Sequence, residues 1–383
     1  MSFVGKVCTV GVFDESIPDI KFDSNGKSNY ALLYDKLVEA YPRGETGNTE
    51  WSNLLKKMKN AGKGKKYDCI IGVSGGTDSC FLLHLSKQWN LRVLAVNLDN
   101  GWNSDISVRN ILTMTQQLNI DLETYVVDYL EIKDLIKSYM QASLPWIDMP
   151  SDLAIKSVLY KIADREGIKY ILRGNDFRSE GSQPKAWTYG DGKQLKAIHQ
   201  RFGRVKLKTY PNYTILNLFY YSLIKRINSL YPFYYIDYNK NEAQQFLKEK
   251  YGWEYYGGHH YENLFTKFTM SYWLYEKFGI DKRKITLSAQ VMSGEISREF
   301  ALEEINKLPY DAEKKDEMIA YLCKKLDLKL EEFNKLFSLP NKNYKDYPSY
   351  EKLFTNYRSL YKWFISKIFI HKPQSMFKEE IIG

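Results

Sequence analysis

Ile70-Ile-Gly-Val-Ser-Gly-Gly-Thr-Asp-Ser-Cys80 is an apolar run that passes directly into a small, polar, glycine-containing turn, followed by helix-type sequence to Trp89. The apolar run reads as a buried strand and the apolar spacing after the turn as a helix. A turn of this composition between strand and helix makes a phosphate cradle. Gly75 and Gly76 let the backbone approach an anion closely, successive N–H groups converge on its oxygens, and the helix N-terminus adds partial positive charge. Ser74 and Ser79 add hydroxyl donors beside Thr77, and Asp78 can hold the magnesium that accompanies a polyphosphate. No Gly-Lys-Ser/Thr follows at the Walker A spacing, and no GxGxxG dinucleotide turn is present. The plain alternative is a tight turn in which Asp or Ser merely caps the helix.

Outward from this turn the chain alternates strand and helix. Strands are expected at 68–73, 92–97, 122–127 and 170–173, with helices at 78–89, 104–118, 132–142 and 151–166 between them. The pattern predicts an α/β fold with a doubly wound, mostly parallel sheet and right-handed crossovers. In such a sheet ligands bind at the carboxyl edge. Asn97, Asp99 and Asn100 lie at that end of the second strand, as an adenosine contact region, and Gly174 and Asn175 end a later one, followed by Asp176 and Glu180. Each of these also suits simple strand termination. Residues 176–213, rich in Gly, Lys and Arg, read as a long functional loop. Helices are expected at 214–229, 239–251 and 262–277. Two short extended runs before residue 33 suggest a small N-terminal β appendage, and the stretch after Pro309 a helical C-terminal extension. The expected division is 1–60 for appendage and linking helix, 61–305 for the sheet domain, and 306–383 for the extension.

Length and composition set outer bounds. With 383 residues, 44% of them apolar, the chain can bury a substantial core. A net charge of +9 favours an anionic partner without choosing between nucleic acid and nucleotide. No leader-type apolar segment opens the chain and no run approaches the roughly 20 residues of a membrane span, so a cytoplasmic protein without membrane insertion is expected. Cys8, Cys69, Cys80 and Cys323 form no CxxC pair, which disfavours a disulfide framework or a four-cysteine zinc site.

The Ser74–Ser79 sequence resembles the PP-loop of the ATP pyrophosphatases, a superfamily that includes GMP, NAD and asparagine synthetases and tRNA-thiolating enzymes. The resemblance implies ATP as substrate, with magnesium, and AMP and pyrophosphate as products. A narrower likeness lies in Asp14-Glu-Ser-Ile-Pro-Asp-Ile-Lys-Phe-Asp-Ser-Asn-Gly26, Tyr256-Gly-Gly-His-His-Tyr-Glu262, Lys277-Phe-Gly-Ile-Asp-Lys-Arg283 and Ser293-Gly-Glu-Ile-Ser-Arg298. Together these resemble the WbpG-like N-acetyl sugar amidotransferases of surface-polysaccharide biosynthesis, over roughly residues 7–305. The likeness implies conversion of an acetamido group on a nucleotide-linked sugar to an acetamidino group, with ammonia from a separate class I glutaminase. His260 and Glu262, on the family's Gly-Gly-x-His-Tyr-Glu pattern, become candidates for proton transfer or sugar contact, with Asp78 and Ser79 of the loop as the other catalytic candidates. Lys193, Lys196, Arg201, Arg204, Lys206 and Lys208 could clamp a sugar diphosphate or form a solvated basic loop.

One departure from the family concerns metal. Its members carry two amino-terminal cysteine pairs resembling a zinc ribbon, whereas the matching positions here are Cys8, Gly11, Ser28 and Ala31. A single thiolate cannot make a structural zinc site, so the appendage is expected to be held by packing and no zinc site is assigned. Two further readings compete. A tRNA-thiolating enzyme would suit the charge but normally needs paired cysteines or an iron–sulfur cluster, which makes nucleic acid a disfavoured partner; a catalytically inactive partner subunit is opposed by the intact loop.

Overall fold

The structure is a computed structural model that describes residues 3–258, 261–368, 370 and 372–382. Two helices, α1 (Asn29–Ala40) and α2 (Gly44–Ala61), lead to β1 (Cys69–Gly72), α3 (Thr77–Gln88), β2 (Val93–Asp99), α4 (Asp105–Gln117) and β3 (Asp121–Val126). Then come α5 (Tyr129–Gln141), α6 (Met149–Arg165), β4 (Tyr170–Leu172), and three helices, α7 (Phe177–Glu180), α8 (Lys185–Thr188) and α9 (Gly192–Phe202). The chain returns to the sheet at β5 (Asn228–Leu230) after α10 (Ile215–Phe219), which continues as a π-turn over Tyr220–Ile224. The strands run in the order β3-β2-β1-β4-β5, and every pairing is parallel.

Alternation along these short strands feeds two separate cores. Ile70, Leu94, Val96 and Ile171 share one cluster with Ile132, Leu135, Val158 and Leu159 of α5 and α6. Cys69, Ile71, Val93, Ala95, Tyr170 and Leu172 share the other with residues of α1, α2, α3 and α4, among them Leu33, Trp51, Leu83 and Met114. The period of two thus puts helices on both faces, as doubly wound sheets require. Because β1 is the central strand, its carboxyl end opens at the point where connections leave to either side, the usual ligand crevice of such sheets.

The remaining helices are α11 (Lys240–Tyr251), α12 (Leu264–Phe268) with a π-helical continuation over Thr269–Lys277, α13 (Arg283–Ser293) and α14 (Arg298–Asn306). They are followed by α15 (Lys315–Leu326), α16 (Leu330–Phe337), α17 (Glu351–Asn356), α18 (Arg358–Ile368) and α19 (Gln374–Ile381). This helical C-terminal region packs onto the sheet layer: Tyr347 Oη donates to the Ala142 carbonyl at 2.8 Å, and Leu326 and Phe333 enter the core of α5 and α6. No helix among the described residues is long and apolar enough to cross a membrane.

Two sequence expectations fail locally. Residues 176–213 hold three helices rather than a long loop, because Asp191 caps α9 from Lys193 N and Gln194 N and Leu195 and Ile198 are buried. The single helix expected at 214–229 ends early, at a π-turn and at Arg226 with φ 52°, which frees Asn228–Leu230 to pair with β4.

Among its described residues the N-terminal appendage has only isolated antiparallel bridges, Val7 to Asp14 and Phe22 to Ser28. Side chains from α13 and α14 tie it down. Lys284 Nζ donates to Asp14 Oδ2 at 2.5 Å, with both side chains essentially removed from solvent, and Ser288 Oγ accepts from Val12 N at 2.8 Å. Arg298 donates to the carbonyls of Gly11 and Cys8, both at 3.0 Å. Ser28 N donates to the Cys8 thiol at 3.3 Å, so two of the four ribbon-like positions do meet, through a hydrogen bond.

Candidate active site

A left-handed glycine shapes the loop between β1 and α3. Gly75 has φ +79°, and a Cβ there would lie 2.3 Å from the Ser107 carbonyl oxygen, so only glycine fits. Its own carbonyl is held by Asn110 Nδ2 at 3.1 Å and Trp253 Nε1 at 3.0 Å. Gly76 is the N-cap of α3 and offers no capping side chain, so N–H groups at the helix start take partners that an anion could replace: Gly76 N donates to Ser74 Oγ at 3.3 Å, and Thr77 N to a tyrosine described below. Ser79 Oγ accepts from Ser74 N at 3.3 Å and donates to the Gly76 carbonyl at 3.2 Å, closing the turn on itself. Thr77 is fully buried, and its hydroxyl accepts from Gln244 Nε2 at 3.3 Å.

Two residues remote in sequence reach this loop. Glu262 Oε1 accepts from Ser74 Oγ at 3.2 Å, and Tyr256 Oη accepts from Thr77 N at 3.4 Å. A Cβ on Gly76 would lie 3.1 to 3.2 Å from Ser74 Oγ, Tyr256 Oη and Glu262 Oε1, so all three crowd the same point. Of the two family-derived candidates, Glu262 is therefore brought to the loop, while His260 lies outside the described residues.

Asp78 differs from the expectation of a magnesium ligand. Tyr238 Oη donates to its Oδ1 and Lys240 Nζ to its Oδ2, the latter at 2.8 Å. Burial alone would lower the Lys240 pKa, but the Asp78 carboxylate and Glu180 more than offset this and raise it. An ammonium already neutralising Asp78 would repel a divalent cation, and among the described residues no three His, Cys, Asp or Glu side chains cluster as a metal site. The arrangement does not fit a metal held by Asp78, and no step below passes through one. Lys240, which no local motif marks, is the cation standing at the loop.

Beside the loop lies a cavity of about 460 Å³, walled by the ends of β1, β2 and β4, by α6, and by the start of α12. Ser74, Asn97, Asn100, Gly174, Asn175 and Glu262 line it, as expected for carboxyl-edge residues. Asn100 also cross-links the wall, donating to Ser151 Oγ at 3.0 Å and accepting from Asn263 Nδ2 at 3.1 Å. Asp99 is not among the lining residues: its Oδ1 accepts from Gly101 N at 2.8 Å and stabilises the turn after β2. Asp176 likewise serves the fold, buried and paired with Arg43 at 3.0 Å. Gly174 packs tightly on the loop, since a Cβ there would lie 3.0 Å from the Asp78 carbonyl carbon.

The cavity carries charges that composition could not locate. Asp148 is buried, accepts from Thr266 Oγ1 at 2.5 Å through Oδ2, and is pushed up to about 7 by burial and by nearby Asp152. Lys282 Nζ sits 4.0 Å from the Trp146 ring centroid and is lowered to about 8 by burial. Lys156 on α6 is likewise lowered to about 8, by burial and by Arg173. The basic residues expected to act from 193–208 lie elsewhere. The chain around them is bound to α5, with Asp134 accepting from Arg204 N and Val205 N and Glu131 accepting from Lys208 N and Thr209 N. None of the six lines this cavity.

Comparison with known proteins bears on the half of the site contributed after residue 250. Residues 262–361 match the family described as LPS biosynthesis protein WbpG-like, C-terminal domain. An uncharacterised protein of Methanocaldococcus jannaschii is 29% identical over 136 residues, 35% of this chain and 47% of that protein, so the chain matches about half the length of that curated relative. Among solved structures, NMN synthetase from Francisella tularensis aligns with 39% of this chain and 56% of its own, at 17% identity and TM-score 0.28. NH3-dependent NAD synthetase from Campylobacter jejuni covers 39% and 58%, at 14% identity and TM-score 0.25. The U34-tRNA thiolase NcsA from Methanococcus maripaludis, described with a [4Fe-4S] cluster, covers 82% and 92%, at 13% identity and TM-score 0.34. The family match starts at Glu262, whose carboxylate meets Ser74, so the segment that is similar to the WbpG-like C-terminal domain reaches the loop between β1 and α3 in this α/β fold.

Proposed function

We propose that the chain is an ATP-dependent, AMP-forming amidotransferase acting on a nucleotide-linked N-acetyl sugar in the synthesis of a surface polysaccharide. The observation that carries this reading is the contact between Glu262, first residue of the WbpG-like match, and Ser74 of the loop, 188 residues away in sequence. It joins the segment that resembles sugar amidotransferases to the anion cradle at one point of one cavity.

The chemistry suits the parts present. An amide oxygen is a very poor leaving group, so ammonia cannot displace it directly. Attack of the acetamido oxygen on the α-phosphorus of ATP forms the O–P bond and releases pyrophosphate. Ammonia then adds to the activated carbon, and the C–O bond breaks as that oxygen departs with AMP, leaving the acetamidino group. The N–H groups of the loop and first turn of α3, exchanging Ser74 Oγ and Tyr256 Oη for phosphate oxygens and with Lys240 beside them, would hold the pyrophosphate end. Orienting the acetamido oxygen in line with the α-phosphate supplies a further several kcal/mol without a covalent enzyme intermediate. Glu262, which accepts from Ser74 Oγ, would orient Ser74 against the phosphates or accept a proton from the acceptor. A separate class I glutaminase would supply ammonia.

Turnover with ATP and UDP-linked N-acetyl sugars tests the reading directly. AMP and pyrophosphate are expected in equal amounts, and Ser79→Ala or Asp78→Asn should lower their release by orders of magnitude in a folded protein. ADP as the nucleotide product would overturn it.

A further inference from the structure

The six basic residues at 193–208 do not reach the cavity, which leaves open what would hold an acceptor's phosphates. The answer lies on the opposite wall. Asp148, Asp152 and Lys156 all line the cavity, and the last two lie on successive turns of α6. The carboxylates on the Asn100 side of the wall have Lys282 close to them, whereas Lys156 stands a turn further along α6, toward β4. Arg173, directly after β4, lines the same end.

Neither cation has an acidic partner among the described residues. Lys156 Nζ lies 4.2 Å from the Tyr213 ring centroid, and Arg173 Nε is 3.4 Å from Ser229 Oγ. They instead oppose each other, which together with burial lowers the Lys156 pKa. Two mutually repelling cations held on a cavity wall by neutral neighbours are relieved by a bound anion. The sheet order separates this pair from the ATP side. The loop ends β1, Asn97 and Leu98 end β2 on one flank, and Arg173 follows β4 on the other. An adenosine lying over β2 with its phosphates on the loop leaves the β4 flank for a second polyphosphate.

We propose that Lys156 and Arg173 clamp the diphosphate of the acceptor nucleotide, on the β4 side of the cavity and apart from the loop that takes the phosphates of ATP. This rests on the reading of the chain as acting on a nucleotide-linked sugar. It also orients that substrate, with its diphosphate at the Lys156 end and its sugar toward the carboxylates of Asp148 and Asp152, which accept hydrogen bonds from hydroxyl groups.

Calorimetric titration of the full chain with ATP, and of the ATP-saturated chain with UDP as the diphosphate probe, tests the assignment. UDP lacks an acetamido group, so no turnover intervenes. The expected result is that UDP binds the ATP-saturated protein, that Lys156→Met or Arg173→Met weakens UDP at least tenfold, and that ATP binding changes by less than threefold. Arg173→Lys, which keeps the charge but loses the planar fork, should fall between wild type and Arg173→Met. Retained ATP binding shows that the variants fold. Absence of UDP binding to the ATP-saturated wild type, or loss of ATP affinity in parallel with UDP, would overturn the clamp. ADP formation in turnover would instead remove the amidotransferase reading and leave these binding results standing.

Discussion

At the scale of single residues, the loop depends on one atom that is missing. A side chain on Gly75 would need a left-handed conformation and would press against the Ser107 carbonyl. Gly75→Ala should therefore distort the loop and lower ATP affinity at least tenfold, readable by calorimetry, while the melting temperature shows whether the rest of the fold survives. Asp148 is the residue whose ionisation bears most directly on stability. Its folded pKa of about 7 lies above the ordinary 3.8, so the folded state holds the proton more tightly than the unfolded one. That contribution is complete below about pH 4 and is lost as pH rises through 7. The wild type should lose melting temperature relative to Asp148→Asn between about pH 5 and pH 8; a pH-independent difference would show that Asp148 does not titrate there. Ser74 to Ser79 were legible in sequence because strand, glycines and helix are contiguous. Lys240, Lys156 and Lys282 were not, because a lone lysine has no local pattern and gains meaning only from what it faces.

Elements show the same division between local and tertiary information. β1 to β4 and their helices could be read from periodicity, since each buries a face whose repeat is fixed by its own geometry. β5 could not: Asn-Ser-Leu is short and polar, and it is a strand only because β4 offers an open edge at the place where the preceding helix stops. The basic stretch at 176–213 looked irregular because its helices are short and one is fixed by an Asp191 cap. The N-terminal appendage is an element with almost no regular structure, attached through a buried ion pair. Removing one partner of such a pair strands the other, so Lys284→Met should cost about 3–5 kcal/mol in denaturant titration. Chelators should leave that titration unchanged in the wild type, and a chelator-dependent midpoint would point to a metal ligand set different from the residues at 8, 11, 28 and 31.

The whole molecule brings together the carboxyl edge of a sheet, a loop and the distant segment that begins at Glu262, and on the proposed amidotransferase reading its turnover should depend on nitrogen supplied from outside. None of Cys8, Cys69, Cys80 and Cys323 stands in a glycine-flanked strand-to-helix elbow, the usual setting of a class I glutaminase nucleophile, so the nitrogen is expected from a separate donor. Ammonium chloride at alkaline pH should support turnover, glutamine alone should not, and glutamine with a class I glutaminase should. Glutamine-dependent turnover by the chain alone would contradict a separate nitrogen donor. The contacts of Tyr256 and Glu262 with the loop carry a further consequence, best put as populations. On the proposed reading, phosphates that take the Thr77 N–H must displace Tyr256 Oη from it, so the measured dissociation constant is the intrinsic one divided by the fraction of molecules in which the Tyr256 contact is open. A hydrogen bond contributing about 0.5–1.5 kcal/mol to the closed form weakens apparent affinity by roughly twofold to tenfold. Tyr256→Phe should accordingly bind ATP more tightly than the wild type by a factor in that range, so that losing a contact at the nucleotide site strengthens the grip on the nucleotide.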